Sequence, residues 1–110
     1  MLAQYIVLRR DLGWPLGALC AQAAHASIAA IHAFPGPDTS AYLEDLSNMR
    51  KLVLGATEVE LKALILQLEK EGLEHHVWIE QPENIVTAVA LRPYPKSRVA
   101  KILRHLPLLQ

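Results

Sequence analysis

The chain has 110 residues and carries eleven Lys plus Arg against eleven Asp plus Glu, a formal net charge of zero. At 52% apolar and 20% charged residues it has the make-up of one globular domain, able to bury about two-thirds of its unfolded surface and too apolar for a disordered chain. A neutral total supplies no global field to gather polyanions, but the charge is unevenly placed. Residues 36–90 hold ten acids against four bases, whereas residues 91–110 hold Arg92, Lys96, Arg98, Lys101 and Arg104 and no acid. That basic end reads either as a solvated helix face or as an anion-facing patch.

Cys20 is the one cysteine, so no intramolecular disulfide forms, in keeping with a reducing compartment. Its apolar neighbours suggest a small buried hydrophobe. No His or Cys array has metal-ligand spacing. Residues 12–37 lack any charged side chain, but Gln22, His25, His32 and several Gly and Pro interrupt them and Ala dominates, which argues against a membrane span. No basic n-region opens the chain. The expectation is a soluble, cytoplasmic protein.

In chain order, residues 3–10 contain a continuous apolar run rich in β-formers and predict a buried strand. Gly13, Pro15 and Gly17 punctuate a loop. Residues 18–33, half of them Ala, predict a helix that Pro35 and Pro37 end. Asp38, Thr39 and Ser40 are candidate caps for a short helix over 41–47. Residues 51–55 predict a second strand. Thr57 and Glu60 have capping-box spacing and open a helix to about residue 71, with Leu61, Leu64, Ile65 and Leu68 on one side and Gly72 as the stop. Residues 74–80 and 85–91 read as strands around a turn at 81–84. Pro93 and Pro95 break the chain, and residues 96–105 predict a last helix with Val99, Ile102, Leu103 and Leu106 as its apolar stripe.

The order β-α-(α)-β-α-β-β-α predicts an α/β fold: a single domain over 1–110, built as a three-layer α/β/α sandwich on a four-stranded mixed sheet. Two parallel β-α-β crossovers and one antiparallel hairpin follow from it.

At ~100° per residue, Gln22, His25 and His32 share one face of the first helix, and Cys20, Ile28 and Ile31 lie opposite, where they can pack on the sheet. A polar helix face after a strand and a Gly-containing loop is where ligands gather in α/β sheets, although a solvated face would look the same. Glu80 and Glu83 flank the hairpin and are candidates for base or orienter. Thr87 is a polar residue in an apolar strand, able to serve a ligand or a neighbouring backbone group. Nucleophile elbows, phosphate loops and dinucleotide fingerprints are absent.

The strings VLRRDL at 7–12 and GALCAQAAHA at 17–26 resemble the opening of the type II peptidyl-tRNA hydrolases, in which a strand ending R-x-D-L precedes a G-K-x-A-A-Q-x-x-H-A helix. KLVLG at 51–55 and TAVALRP at 87–93 resemble its later segments. AYL at 41–43, MRK at 49–51, WIEQPENI at 78–85 and ALRPYPK at 90–96 are most similar to the branch called peptidyl-tRNA hydrolase domain-containing proteins.

The resemblance implies hydrolysis of the ester between peptide and tRNA, with peptidyl-tRNA or tRNA as partner, a possible homodimer, and no metal or organic cofactor. Gln22, His25, Glu80 and Thr87 are the implied catalytic residues. Arg9, Arg92, Lys96 and Arg98 are the substrate-binding candidates, and Asp11 and Gly17 are structural neighbours of the site. Two positions depart from the family pattern. Its lysine after the helix-opening glycine falls on Ala18, and its aspartate after the third strand falls near Glu80 in a shorter loop. The rival expectation is a non-catalytic tRNA- or protein-binding module.

Overall fold

Every residue from Ala3 to Leu8 is buried, the condition of a strand covered on both faces. In the computed structural model, which describes residues 1–110, this is β1 (Leu2–Arg9), and it lies inside the sheet. The chain continues as α1 (Leu16–Ala33), α2 (Pro37–Glu44), a 3-10 turn at Leu46–Asn48, β2 (Lys51–Ala56), α3 (Glu58–Lys70), β3 (His75–Glu80), β4 (Ile85–Leu91), β5 (Tyr94–Pro95) and α4 (Lys96–Leu103).

The main sheet runs β2-β1-β4-β3. β2 is parallel to β1, and β4 is antiparallel to β1 and to β3. The protein is therefore an α/β domain with an open mixed sheet. The sheet has five strands rather than four, because β5 pairs with the start of β1. The prolines on either side of Tyr94 read as breakers, yet Pro is tolerated at strand ends and edges. Both expected crossovers are parallel in sense; the second, β2-α3-β3, joins the two edges of the main sheet.

Two apolar layers hold the sheet. On one face Tyr5, Val7, Val89 and Leu91 meet Leu61, Leu64 and Leu68 of α3 and Val99 and Leu103 of α4. Each fully buried Leu or Val adds about 1.5–3 kcal/mol. The capping box forms as its spacing predicts: the Glu60 N–H donates to Thr57 Oγ1 at 3.2 Å, and the Thr57 N–H to Glu60 Oε1 at 2.8 Å. Gly72 then leaves the helix at φ +67°, which favours a residue without Cβ.

On the other face Ile6, Leu8, Ala88 and Ala90 meet Ala26 and Ala30 of α1. This inverts the expected orientation of α1. Its buried residues are Gln22, Ala26 and Ala30, whereas Cys20 is exposed and Ile28 is 63% exposed. The reason is shape. Alanines on the helix opposite alanines on β4 bring the backbones close, and an isoleucine at that seam would hold them apart. By length and mean hydropathy α1 is long and apolar enough to cross a membrane; in this fold one side of it lies on the sheet.

After α4 the chain returns along the outer edge of β2. The Gly55 N–H donates to Pro107 O at 2.8 Å and the Leu109 N–H to Val53 O at 2.9 Å, which covers part of an otherwise unpaired edge.

Candidate active site

Strict alternation along β4 would send Thr87 to the α3 face with Val89 and Leu91. It does not go there. The β3–β4 register pairs Trp78 with Ala88 but Ile79 with Val86, so Thr87 has no partner opposite. Such a bulge re-aims a side chain, and Thr87 turns to the α1 side beside Ala88. There its hydroxyl donates to Gln22 Oε1 at 2.7 Å. Thr87 is 0% and Gln22 2% exposed, so each satisfies a polar group that burial would otherwise penalise.

Trp78 and Glu80, two apart on β3, point to one face. The Trp78 indole N–H donates to Glu80 Oε1 at 3.0 Å. The His25 ring, one turn after Gln22 on α1, stacks on Trp78 with centroids 4.6 Å apart and planes 18° apart. The Trp78 N–H above all, then the Gln22 side chain, and last the charge of His25 hold the Glu80 carboxyl below the ordinary glutamate range, against a modest opposing effect of desolvation. The structure thus brings Gln22, His25, Glu80 and Thr87 together from α1, β3 and β4. Trp78, which links His25 and Glu80, was not singled out by sequence. Its spacing of two from Glu80 on a strand was the available signal.

The other candidates are elsewhere. Arg9 is inward-facing, its side chain 11% exposed; it donates to Asp11 Oδ1 at 2.9 Å and to Val86 O at 3.3 Å, with Glu58 Oε2 at 3.6 Å. Asp11 also accepts the Glu58 N–H at 3.0 Å, tying the loop after β1 to the first turn of α3. Arg9 chiefly holds the Asp11 carboxyl below its usual range. Arg92 is bound to Glu74 at 2.9 Å and Asp38 at 3.1 Å and lies 3.6 Å over the Tyr94 ring. The Lys96 N–H donates to Met1 O. Arg92, Lys96 and the nearby Arg98 therefore lie toward the start of β1, away from Thr87 and Glu80. A Cβ at Gly17 would meet nothing within 4 Å, so no steric demand fixes glycine there. Ala18 precedes Gln22 by one turn, and no ion pair involves Gln22, His25 or Glu80.

The exposed His25 and half-buried Glu80 lie over the buried Gln22–Thr87 pair, and none of the four surface cavities is lined by any of these residues. No three His, Cys, Asp or Glu side chains converge as a metal-ligand set. Chemically, Thr87 occupies the Gln22 carbonyl oxygen and leaves the NH2 end as a fixed donor beside an ionised carboxylate and an exposed imidazole. Such a set is suited to holding a water and a developing oxyanion.

Sandwich and polar cluster together define an α/β domain with a polar site where α1 meets β3 and β4. The chain belongs to the peptidyl-tRNA hydrolase PTH2 family, which matches residues 2–109. It is 50% identical over 111 residues to the proteins named "Putative peptidyl-tRNA hydrolase PTRHD1" in Mus musculus and Homo sapiens, covering 94% of this chain and 79% of each relative.

Proposed function

We propose that the protein hydrolyses the ester joining a peptide to tRNA and releases free tRNA. The observation that carries this reading is the convergence of Gln22, His25, Glu80 and Thr87 from three elements through one bulge. Water attacks the ester carbonyl, and its proton passes to His25. The Gln22 NH2 group donates to the oxyanion as it forms. The carbonyl–ribose bond then breaks, and the ribose oxygen takes the proton back from His25. Glu80, with its lowered pKa, is a weak base and serves to orient water and the imidazole. Loss of a positioned acid or base costs ~10²–10⁴ in rate. Single-turnover cleavage of labelled peptidyl-tRNA should therefore fall by that order in His25→Ala. Wild-type cleavage no faster than that of Gln22→Ala would overturn the proposal.

A second reading, a binding module without hydrolysis, is favoured by Ala18 and by the absence of any Lys or Arg paired with Glu80. It calls for tRNA binding that weakens steeply with salt while Gln22→Ala leaves affinity unchanged. No binding at any salt concentration would leave only a protein partner.

A further inference from the structure

The flank of α1 turned away from Trp78 holds a second polar arrangement. α1 lies over β1, β3 and β4 but leaves β2 largely open on that face. Gln4, fully buried, donates through Nε2 to Ser27 O at 3.0 Å and Leu91 O at 3.1 Å. Its Oε1 accepts from Ser27 Oγ at 2.7 Å and from Lys51 Nζ at 2.6 Å, and Lys51 Nζ also donates to Ser27 Oγ at 3.2 Å. A buried amide thus fixes an ammonium group on the first residue of β2.

That ammonium has no carboxylate: no ion pair in the protein includes Lys51, and its other near neighbour is the Tyr42 ring at 5.2 Å. An ammonium has three donors, and two are used, so one remains. Desolvation pulls the Lys51 pKa below the ordinary lysine value, as expected of a cation that lacks a counter-ion.

The group, itself solvent-exposed, opens onto a shallow surface cavity of about 350 Å3 whose other walls include Ile6, Ala24, Ile28 and Val53. That volume lies within the roughly 300–1,000 Å3 of small-molecule sites, which are commonly apolar with a few placed polar groups. Ile28, left outward by the orientation of α1, becomes one wall of it.

We propose that this cavity binds a small aliphatic monocarboxylate, the carboxylate on Lys51 Nζ and the chain along Ile6, Ala24, Ile28 and Val53. One fixed cation matches one carboxylate, and the apolar walls match a hydrocarbon chain. A phosphate would find a single cation and no further charged donor. A neutral apolar molecule would leave the ammonium uncompensated. The site lies across α1 from Gln22 and does not rest on the hydrolase reading.

The test is titration of isotope-labelled full-length protein with decanoate below its micelle concentration, followed by amide and methyl NMR. Decan-1-ol, decyltrimethylammonium and inorganic phosphate serve as controls. Decanoate should saturate with shifts confined to residues around Ile6, Ala24, Ile28 and Val53. The charge-assisted bond makes a loss of about tenfold or more the expected result for Lys51→Gln. Lys51→Arg should retain most of the affinity, and Ile28→Asp should lose it with Lys51 intact. The unliganded spectra show that each variant is folded. Equal affinity for decan-1-ol, equal affinity in Lys51→Gln, binding of phosphate in place of decanoate, or shifts centred on Gln22 and Trp78 would each overturn the proposal.

Discussion

Replacing Thr87 by Val removes one hydroxyl and keeps the side-chain shape, so the loss isolates a single hydrogen bond. The bond is 2.7 Å long between two residues at most 2% exposed. Its removal strands the Gln22 carbonyl oxygen in a space that water does not readily refill. A buried acceptor left without its donor costs about 1–3 kcal/mol. Since 1 kcal/mol moves the midpoint of a small domain by roughly 4–8 °C, the thermal midpoint of Thr87→Val should fall by roughly 4–24 °C. No cavity contributes, because valine fills the same volume. The double variant Thr87→Val with Gln22→Leu supplies the internal control. Removing both partners leaves nothing unsatisfied, and the pair should therefore be destabilised by at least ~1 kcal/mol less than the sum of the singles. Strict additivity, or a Thr87→Val protein as stable as wild type, would refute the account of the bulge as a device that aims Thr87 at Gln22.

Three further outcomes follow from the same geometry. The Glu80 carboxyl, followed by carbon-detected NMR, should titrate below the ordinary glutamate range, and Trp78→Phe should move it upward. Because its folded-state pKa is the lower one, the stabilisation this carboxylate supplies is present above the unfolded-state value. It fades as pH falls through the folded-state value. Ala18→Lys, which returns a cation one turn before Gln22, should raise single-turnover cleavage by about tenfold or more if charge at that point limits the rate; an unchanged rate would show that it does not. Thr57→Ala, which deletes one half of the capping box at α3, should cost ~0.5–2 kcal/mol in urea unfolding without moving cleavage.

Much of the architecture was legible because it is written locally. The apolar run of β1, the Thr57–Glu60 spacing, Gly72 and the turn before Ile85 each act within a few residues, and the structure contains the elements they predict. What was not legible depends on distant partners. The sequence ranks Ile28 above Ala26 for burial by hydropathy, but the α1 seam is decided by how closely Ala26 and Ala30 approach Ala88 and Ala90. Cys20 went to the surface with Ile28 for the same reason. Tyr94–Pro95 forms a strand because the start of β1 is there to pair with it. The four polar residues stood out by position and were joined into one site by resemblance, yet the contact between Thr87 and Gln22 depends on a register shift that no periodicity announces. The role of Trp78 depends on where α1 puts His25.

The neutral total is an average over pairings that the fold makes between distant segments. Arg9 reaches Glu58, Arg10 reaches Glu60 at 3.6 Å, and Arg92 reaches Asp38 and Glu74. The acidic middle of the chain thus answers bases at both ends. These bonds fasten loops and helix starts to the sheet, and partly exposed pairs of this kind add little each. The bases left without a carboxylate in the last segment are Lys96, Arg98, Lys101 and Arg104. Arg98, Lys101 and Arg104 are exposed at intervals of three along α4 and its end, which puts them on one stripe. α4 lies on the opposite layer from α1. A ligand small enough to rest on one layer meets either the polar cluster or this stripe. The free charge of α4 therefore offers nothing to a small anionic ligand at the cluster.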